Sequence, residues 1–125
     1  MRILLDTNLV LWAMSGDSKL SRLAQKEIDQ ADIVYVSAAS VWEIAIKSSL
    51  GRLDIDLDEL LPKLDEAGFA ELPLSWSHTR AVRDLPGHHR DPFDRLLVAQ
   101  ALSEPLRLLT HDRLLERYGS VVSIV

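Results

Sequence analysis

Four acidic residues stand in places that solubility does not explain. Asp6 lies between Leu4-Leu5 and Leu9-Val10, and Glu43 lies within Val41-Trp42-Glu43-Ile44-Ala45-Ile46. A carboxylate in such apolar company is costly unless a cation or several hydrogen-bond donors meet it. Asp94 precedes the apolar run Leu96-Leu97-Val98-Ala99, and Asp112 follows Leu108-Leu109-Thr110-His111. Brought to one place, these acids repel one another, and a divalent cation relieves that repulsion. An all-oxygen ligand set suits a hard ion, Mg²⁺ or Mn²⁺, rather than zinc or copper.

Each acid also has a plain structural reading. Asp112 can cap the segment that follows it. Asp94 can favour a helix dipole, an effect of about 0.3–1 kcal/mol. Glu43 can close a capping box with Ser40 or pair with Lys47 one turn on. Asp91 followed by Pro92 reads better as an N-cap with proline at the first helical position than as a ligand. Asp54-Ile55-Asp56-Leu57-Asp58 has the opening spacing of a calcium loop, but Glu59 stands where that loop needs glycine, so it reads as a solvated acidic edge. His88-His89 suits a metal or a phosphate, although a pair of loop histidines more often serves neither. The chain contains no Gly-x-Ser-x-Gly elbow and no glycine-rich phosphate loop.

The elements that must position these acids follow from periodicity. Ile3-Leu4-Leu5, Ile33-Val34-Tyr35-Val36, the weaker 69–74, 106–109 and 121–125 read as strands. Helices are expected over 9–14, about 20–30, 37–50, 59–67, 75–85, 92–103 and 112–118, and 53–57 as a short extended piece. Alternating strands and helices predict an α/β domain with a mainly parallel sheet and helices on both faces. In such sheets ligands bind beyond the carboxyl ends of the strands. Asp6-Thr7-Asn8, Ser37 onward and Thr110-His111-Asp112 all leave strands, so Asp6, Glu43, Asp94 and Asp112 are expected at one sheet edge.

The totals agree. A chain of 125 residues with 47% hydrophobic and 26% charged residues fits one globular domain. It has no cysteine, which excludes disulfides, thiolate catalysis and zinc–cysteine sites. A formal net charge of −5 argues against broad charge-driven nucleic-acid binding, while leaving room for a basic rim around an acidic pocket. Asp6 and Asn8 interrupt the N-terminal apolar run before a signal sequence forms, and no stretch approaches the roughly 20 apolar residues of a membrane span. A cytoplasmic protein is expected.

Four stretches carry a resemblance: Leu4-Leu5-Asp6-Thr7-Asn8, Val36-Ser37 through Trp42-Glu43-Ile44-Ala45-Ile46-Lys47, Arg90-Asp91-Pro92-Phe93-Asp94-Arg95-Leu96-Leu97-Val98-Ala99-Gln100-Ala101, and Leu108-Leu109-Thr110-His111-Asp112. In this order and spacing the chain resembles PIN-domain ribonucleases, most closely the VapC-type toxins of bacterial toxin–antitoxin pairs. The resemblance implies a three-layer α/β/α fold over 1–125. It implies a metal-dependent endoribonuclease with Asp6, Glu43, Asp94 and Asp112 as its acids and Asn8 and Thr110 as supporting polar groups. It also implies a homodimer and a small antitoxin partner that covers the active site.

The expected mechanism has Asp6, Glu43 and Asp94 placing one Mg²⁺ or Mn²⁺, directly or through water. Asp112 completes that site or forms part of a second metal position. A carboxylate takes the proton of the attacking water. Lys47, Arg90 and Arg95 are candidate contacts to RNA phosphate, with a structural ion pair as the competing reading of Arg95. Two other functions compete. A receiver-like phospho-acceptor domain would need paired acids after the first strand and a lysine after a late one, where this chain has Thr7-Asn8 and Thr110-His111-Asp112-Arg113. A non-catalytic PIN-like interaction module would keep the fold and bind no metal.

Overall fold

A computed structural model describes all 125 residues, Met1–Val125. In chain order the elements are β1 (Arg2–Leu5), α1 (Thr7–Ser15), α2 (Arg22–Gln30), β2 (Ile33–Ser37), α3 (Ala38–Ser49), α4 (Leu57–Glu66), β3 (Ala70–Leu72), α5 (Trp76–Val82), α6 (Pro92–Ser103), β4 (Arg107–Thr110), a 3-10 helix (Arg113–Tyr118) and β5 (Val122–Ile124). The five strands form one sheet in the order β3-β2-β1-β4-β5, and every pairing is parallel.

β1 lies at the centre because its residues are apolar on both faces. Ile3 and Leu5 face one core with Leu9, Val10, Val34, Val36, Ile44, Leu60, Leu64 and Leu109. Leu4 faces the other, with Leu97, Val98, Ala101, Leu108, Leu115 and Val122. Period-two alternation along a strand buried on both sides accounts for the two separate cores. α1, α3 and α4 contribute to the first core, and α6 contributes to the second. The result is the expected three-layer α/β/α arrangement with a parallel centre.

Three local expectations change. Of the extended piece expected over 53–57, residues 53–56 join neither a helix nor the sheet and Leu57 already belongs to α4; Leu53, Ile55 and Leu57 pack against the first core. α4 begins at Leu57 rather than 59, because Asp56 caps it by accepting the N–H of Asp58 at 2.9 Å. The segment after Asp112 is a 3-10 helix rather than an α-helix. Gly119 ends it at φ 98°, a backbone angle suited to glycine.

The chain runs from β1 to β2 and β3 on one side, then returns to β4 and β5 on the other. The strand order therefore reverses between β1 and β4. A parallel sheet opens a crevice at such a switch point, beyond its carboxyl ends.

Candidate metal centre

Asp6 is the first residue beyond β1 and caps α1: its Oδ1 accepts the N–H of Leu9 at 2.8 Å. Its Oδ2 accepts the hydroxyl of Thr110, the last residue of β4. The same Thr110 oxygen accepts the N–H of Asp112 at 3.0 Å. One hydroxyl thus ties the exits of β1 and β4 together across the switch point. Asp6 is buried, with 5% of its surface exposed. Burial pushes its carboxyl up from the ordinary range; bonds from Thr110, Leu9 and His111 oppose the rise, and the charge of Asp112 adds to it.

Glu43 lies within α3, also buried. Its Oε1 accepts the Thr7 hydroxyl at 2.7 Å, and Thr7 Oγ1 is 3.0 Å from Ser40 Oγ. Its Oε2 accepts from Lys47 Nζ at 2.7 Å. The capping box with Ser40 does not form, because Ser37 is the N-cap of α3. The pairing with Lys47 one turn on does form. Thr7 had no assigned role from sequence, although its place directly after Asp6 puts it at the mouth of the crevice.

Asp94 falls at the third position of α6. Asp91 is the N-cap, its Oδ1 accepting from Phe93 N at 2.8 Å and Asp94 N at 3.1 Å, with Pro92 at the helix start. Burial, first of all, pushes the Asp94 carboxyl up to about 7. The negative charge of Asp91 adds to the rise, His89 opposes it, and the charges of Asp6 and Glu43 add further. Asp94 therefore feels the charges of both inner acids, and Asp6 feels that of Asp112.

Asp112 caps the 3-10 helix through Oδ1, which accepts the N–H of Leu114 at 3.0 Å. Its Oδ2 lies 3.0 Å from His89 Nε2, and Asp94 Oδ2 lies 3.5 Å from the same nitrogen. His89, Asp94 and Asp112 each bring one potential ligand atom within 4.8 Å of the others. The sequence held His88 and His89 together as a weak pair. The structure separates them: His88 packs edge-on against Tyr118, with ring centroids 5.1 Å apart, and His89 joins the acids.

The other predicted residues divide. Thr110 is buried and central. Asn8 is exposed on the first turn of α1, and Arg90 is exposed just before α6. Arg95 was expected at a phosphate or in an ion pair. Its guanidinium instead donates to backbone carbonyls and one phenol: Nη1 to Pro86 O at 2.9 Å, His89 O at 3.5 Å and Tyr118 Oη at 3.2 Å, and Nη2 to Val82 O at 3.2 Å. These contacts place Arg95 as a clamp on the loop that carries His89. A planar fork with several fixed donors suits that task.

These residues fit a hard divalent cation. The acids offer carboxylate oxygens, and the Asp94 carboxyl is pushed up to about 7 by burial and by the negative charges of Asp91, Asp6 and Glu43. A cation at the same place removes that penalty.

The family model described as "PIN domain" matches residues 3–121. Among curated proteins, the chain is 28% identical over 122 residues to "Ribonuclease VapC22" of Mycobacterium tuberculosis, covering 93% of this chain and 91% of that protein. Among solved structures, VapBC2 from Rickettsia felis, bound to a DNA fragment from its promoter, matches with a TM-score of 0.70 at 15% identity, covering 100% of this chain and 98% of that one. FitAcB from Neisseria gonorrhoeae matches with a TM-score of 0.69 at 20% identity, covering 98% of this chain and 96% of that one. At such identities the two structures speak for the fold.

Proposed function

This chain belongs to the PIN-domain family, and from that premise we propose that it is a metal-dependent endoribonuclease acting as the toxin of a toxin–antitoxin pair. The observation that carries the reading is the crevice between β1 and β4, where Asp6, Glu43, Asp94 and Asp112 influence one another's charge or share Thr110. Family membership and the ribonuclease relative add the reaction class.

In this reading Asp6, Glu43 and Asp94 hold Mg²⁺ or Mn²⁺, and Asp112 completes the site or part of a second position. When bound, the cation lowers the pKa of a water and polarises the scissile phosphate. The chain's own residues do the rest. Thr110 orients Asp6, and Thr7 with Lys47 orients Glu43. A carboxylate that has released its proton accepts one from the attacking water. Lys47 and Arg90 are the candidate phosphate contacts, while Arg95 serves by holding the loop before α6.

The partners in this reading are an RNA substrate and a small antitoxin protein, with a second copy of the chain forming a homodimer in the cytoplasm. No helix of the structure is long and apolar enough to cross a membrane.

The test is direct. Purified protein is expected to cut RNA with Mg²⁺ or Mn²⁺ and to stop in EDTA. Asp94→Asn, folded to the same extent, is expected to be slower by about a hundredfold or more, the scale of losing one preorganised electrostatic group. Equal cleavage by Asp94→Asn removes the site assignment. A parent that binds no Mn²⁺ is the result expected of a non-catalytic PIN module.

A further inference from the structure

Nothing in the four-acid reading requires His89, yet its ring sits between the two outer acids. Its proximity to Asp94 and Asp112 invites the view that all three are ligands of one ion. The other ring nitrogen speaks against this. His89 Nδ1 accepts the backbone N–H of Asp91 at 3.0 Å. A nitrogen that accepts a hydrogen bond has its lone pair there and carries no proton. The ring proton then lies on Nε2, the nitrogen 3.0 Å from Asp112 Oδ2. An Nε2–H group donates, and it has no lone pair to offer a metal. To ligate through Nε2, the proton must move to Nδ1, where it meets the Asp91 N–H donor to donor.

We propose that His89 is a positioning residue: its Nε2–H holds Asp112 Oδ2 while its Nδ1 is pinned to the amino end of α6, so that the outer acids Asp94 and Asp112 keep a fixed spacing. This role rests on the metal-dependent reading of the crevice. Asp112 is then held at both oxygens, Oδ1 by Leu114 N–H and Oδ2 by His89. Each carboxylate oxygen keeps a lone pair for a cation or a bound water.

The ring is held in turn from behind. The His89 N–H donates to Tyr118 Oη at 3.2 Å, and Tyr118 donates its own proton to Pro86 O at 3.0 Å. Arg95 Nη1 reaches the same phenol and the Pro86 and His89 carbonyls. Tyr118 closes the 3-10 helix that Asp112 opens. Loop, 3-10 helix and α6 thus form one hydrogen-bonded bracket around the outer acids. Residues behind a metal's own ligands commonly set ligand direction and affinity in this way. The bracket also keeps the ligand set all-oxygen, which favours Mg²⁺ and Mn²⁺ over ions that prefer imidazole.

The test uses the full chain in two measurements. Long-range ¹H–¹⁵N correlation of the imidazoles, on metal-free and Mg²⁺-loaded protein, is expected to show His89 protonated on Nε2 and bare on Nδ1 in both. Calorimetric titration with Mn²⁺ then compares the parent with His89→Gln and His89→Ala. The glutamine amide can still donate toward Asp112, so His89→Gln is expected to stay within about threefold of the parent, while His89→Ala binds about tenfold or more weakly. A proton on Nδ1 overturns the proposal. So does equal loss, or no loss, in the two variants. The spectra are taken on the parent, so the tautomer decides the proposal even where a variant fails to fold. A parent that neither binds Mn²⁺ nor cuts RNA brings down the nuclease reading and the positioning role with it, whereas a parent that does both with the opposite tautomer brings down the role of His89 alone.

Discussion

The two halves of the crevice are built by different means. Asp6 and Glu43 are buried, and hydroxyls hold them from within the fold: Thr110 on Asp6, Thr7 on Glu43, with Ser40 beside Thr7. Asp94 and Asp112 are half-buried, with 22% and 38% of their side chains exposed, and a ring on a loop lies between them. The inner half is therefore fixed by the packing that fixes the sheet. The outer half depends on polar contacts made outside either core. Asp94 differs in its charge as well: burial first, and then the repulsion of Asp91, Asp6 and Glu43, push its carboxyl up to about 7. On the proposed reading, a site divided in this way would keep Asp6 and Glu43 in place and leave the cost of charging Asp94 to be relieved by the cation.

The largest expected effect joins pH and metal. The Asp94 carboxyl sits at about 7 in the folded chain against an ordinary value of 3.8. Between those values the folded state binds more protons than the unfolded state, so stability falls as pH rises through that window. Asp6 is shifted in the same direction. The Asp94 contribution is on the order of 2–4 kcal/mol at most. In EDTA the protein is expected to melt at lower temperature at pH 8 than at pH 5. Mg²⁺ is expected to raise the melting temperature at pH 8 and to do little at pH 5. Asp94→Asn should flatten much of the pH dependence; a variant that keeps the parent's slope breaks the contrast between the halves.

A smaller effect probes the inner half. Thr7→Val keeps the shape and removes the donor to Glu43 Oε1, leaving a buried carboxylate oxygen unmatched. The expected loss is about 1–3 kcal/mol in urea unfolding, together with weaker Mn²⁺ binding. A change near zero would mean that Lys47 alone suffices for Glu43, and the inner half would then be less built than its geometry indicates.

The smallest effect sharpens the outer half. Tyr118→Phe removes one acceptor for His89 and Arg95 and one donor to Pro86. These groups are partly exposed, so water replaces part of what is lost. About 0.5–1.5 kcal/mol is expected, again by urea unfolding. Weakened Mn²⁺ binding with inner-half stability unchanged would show the bracket acting on the outer acids alone.

Much of this was legible from residue order. Short apolar and β-branched runs located all five strands, and Asp91-Pro92 marked the start of α6 because an acceptor followed by proline is a local signal. The acids were legible because Asp6 and Glu43 sit in apolar runs where a charge calls for an explanation. The capping reading of Asp112 held, and Asp6, which had been given no capping role, caps as well: each uses Oδ1 for its helix and leaves Oδ2 to a side chain, Thr110 for Asp6 and His89 for Asp112. The 3-10 segment was missed because six residues between two strands carry no periodicity that separates it from one α-turn. The contacts of Arg95 were not legible, because they are three backbone carbonyls and one phenol rather than an acid, and no side-chain pattern announces them.

His89 marks where residue order stops and tertiary structure begins. By itself the sequence located the strands and most of the helices and singled out the acids that need explaining, since these follow from local propensity and from the cost of burying charge. Which strands lie side by side, and hence that Thr110 reaches Asp6 from 104 residues away, followed only from the packing of two cores on one sheet. The tautomer of His89 was likewise a tertiary decision. A histidine can donate or accept at either nitrogen, and here the backbone of Asp91, placed by a loop that Arg95 and Tyr118 hold, selects between them.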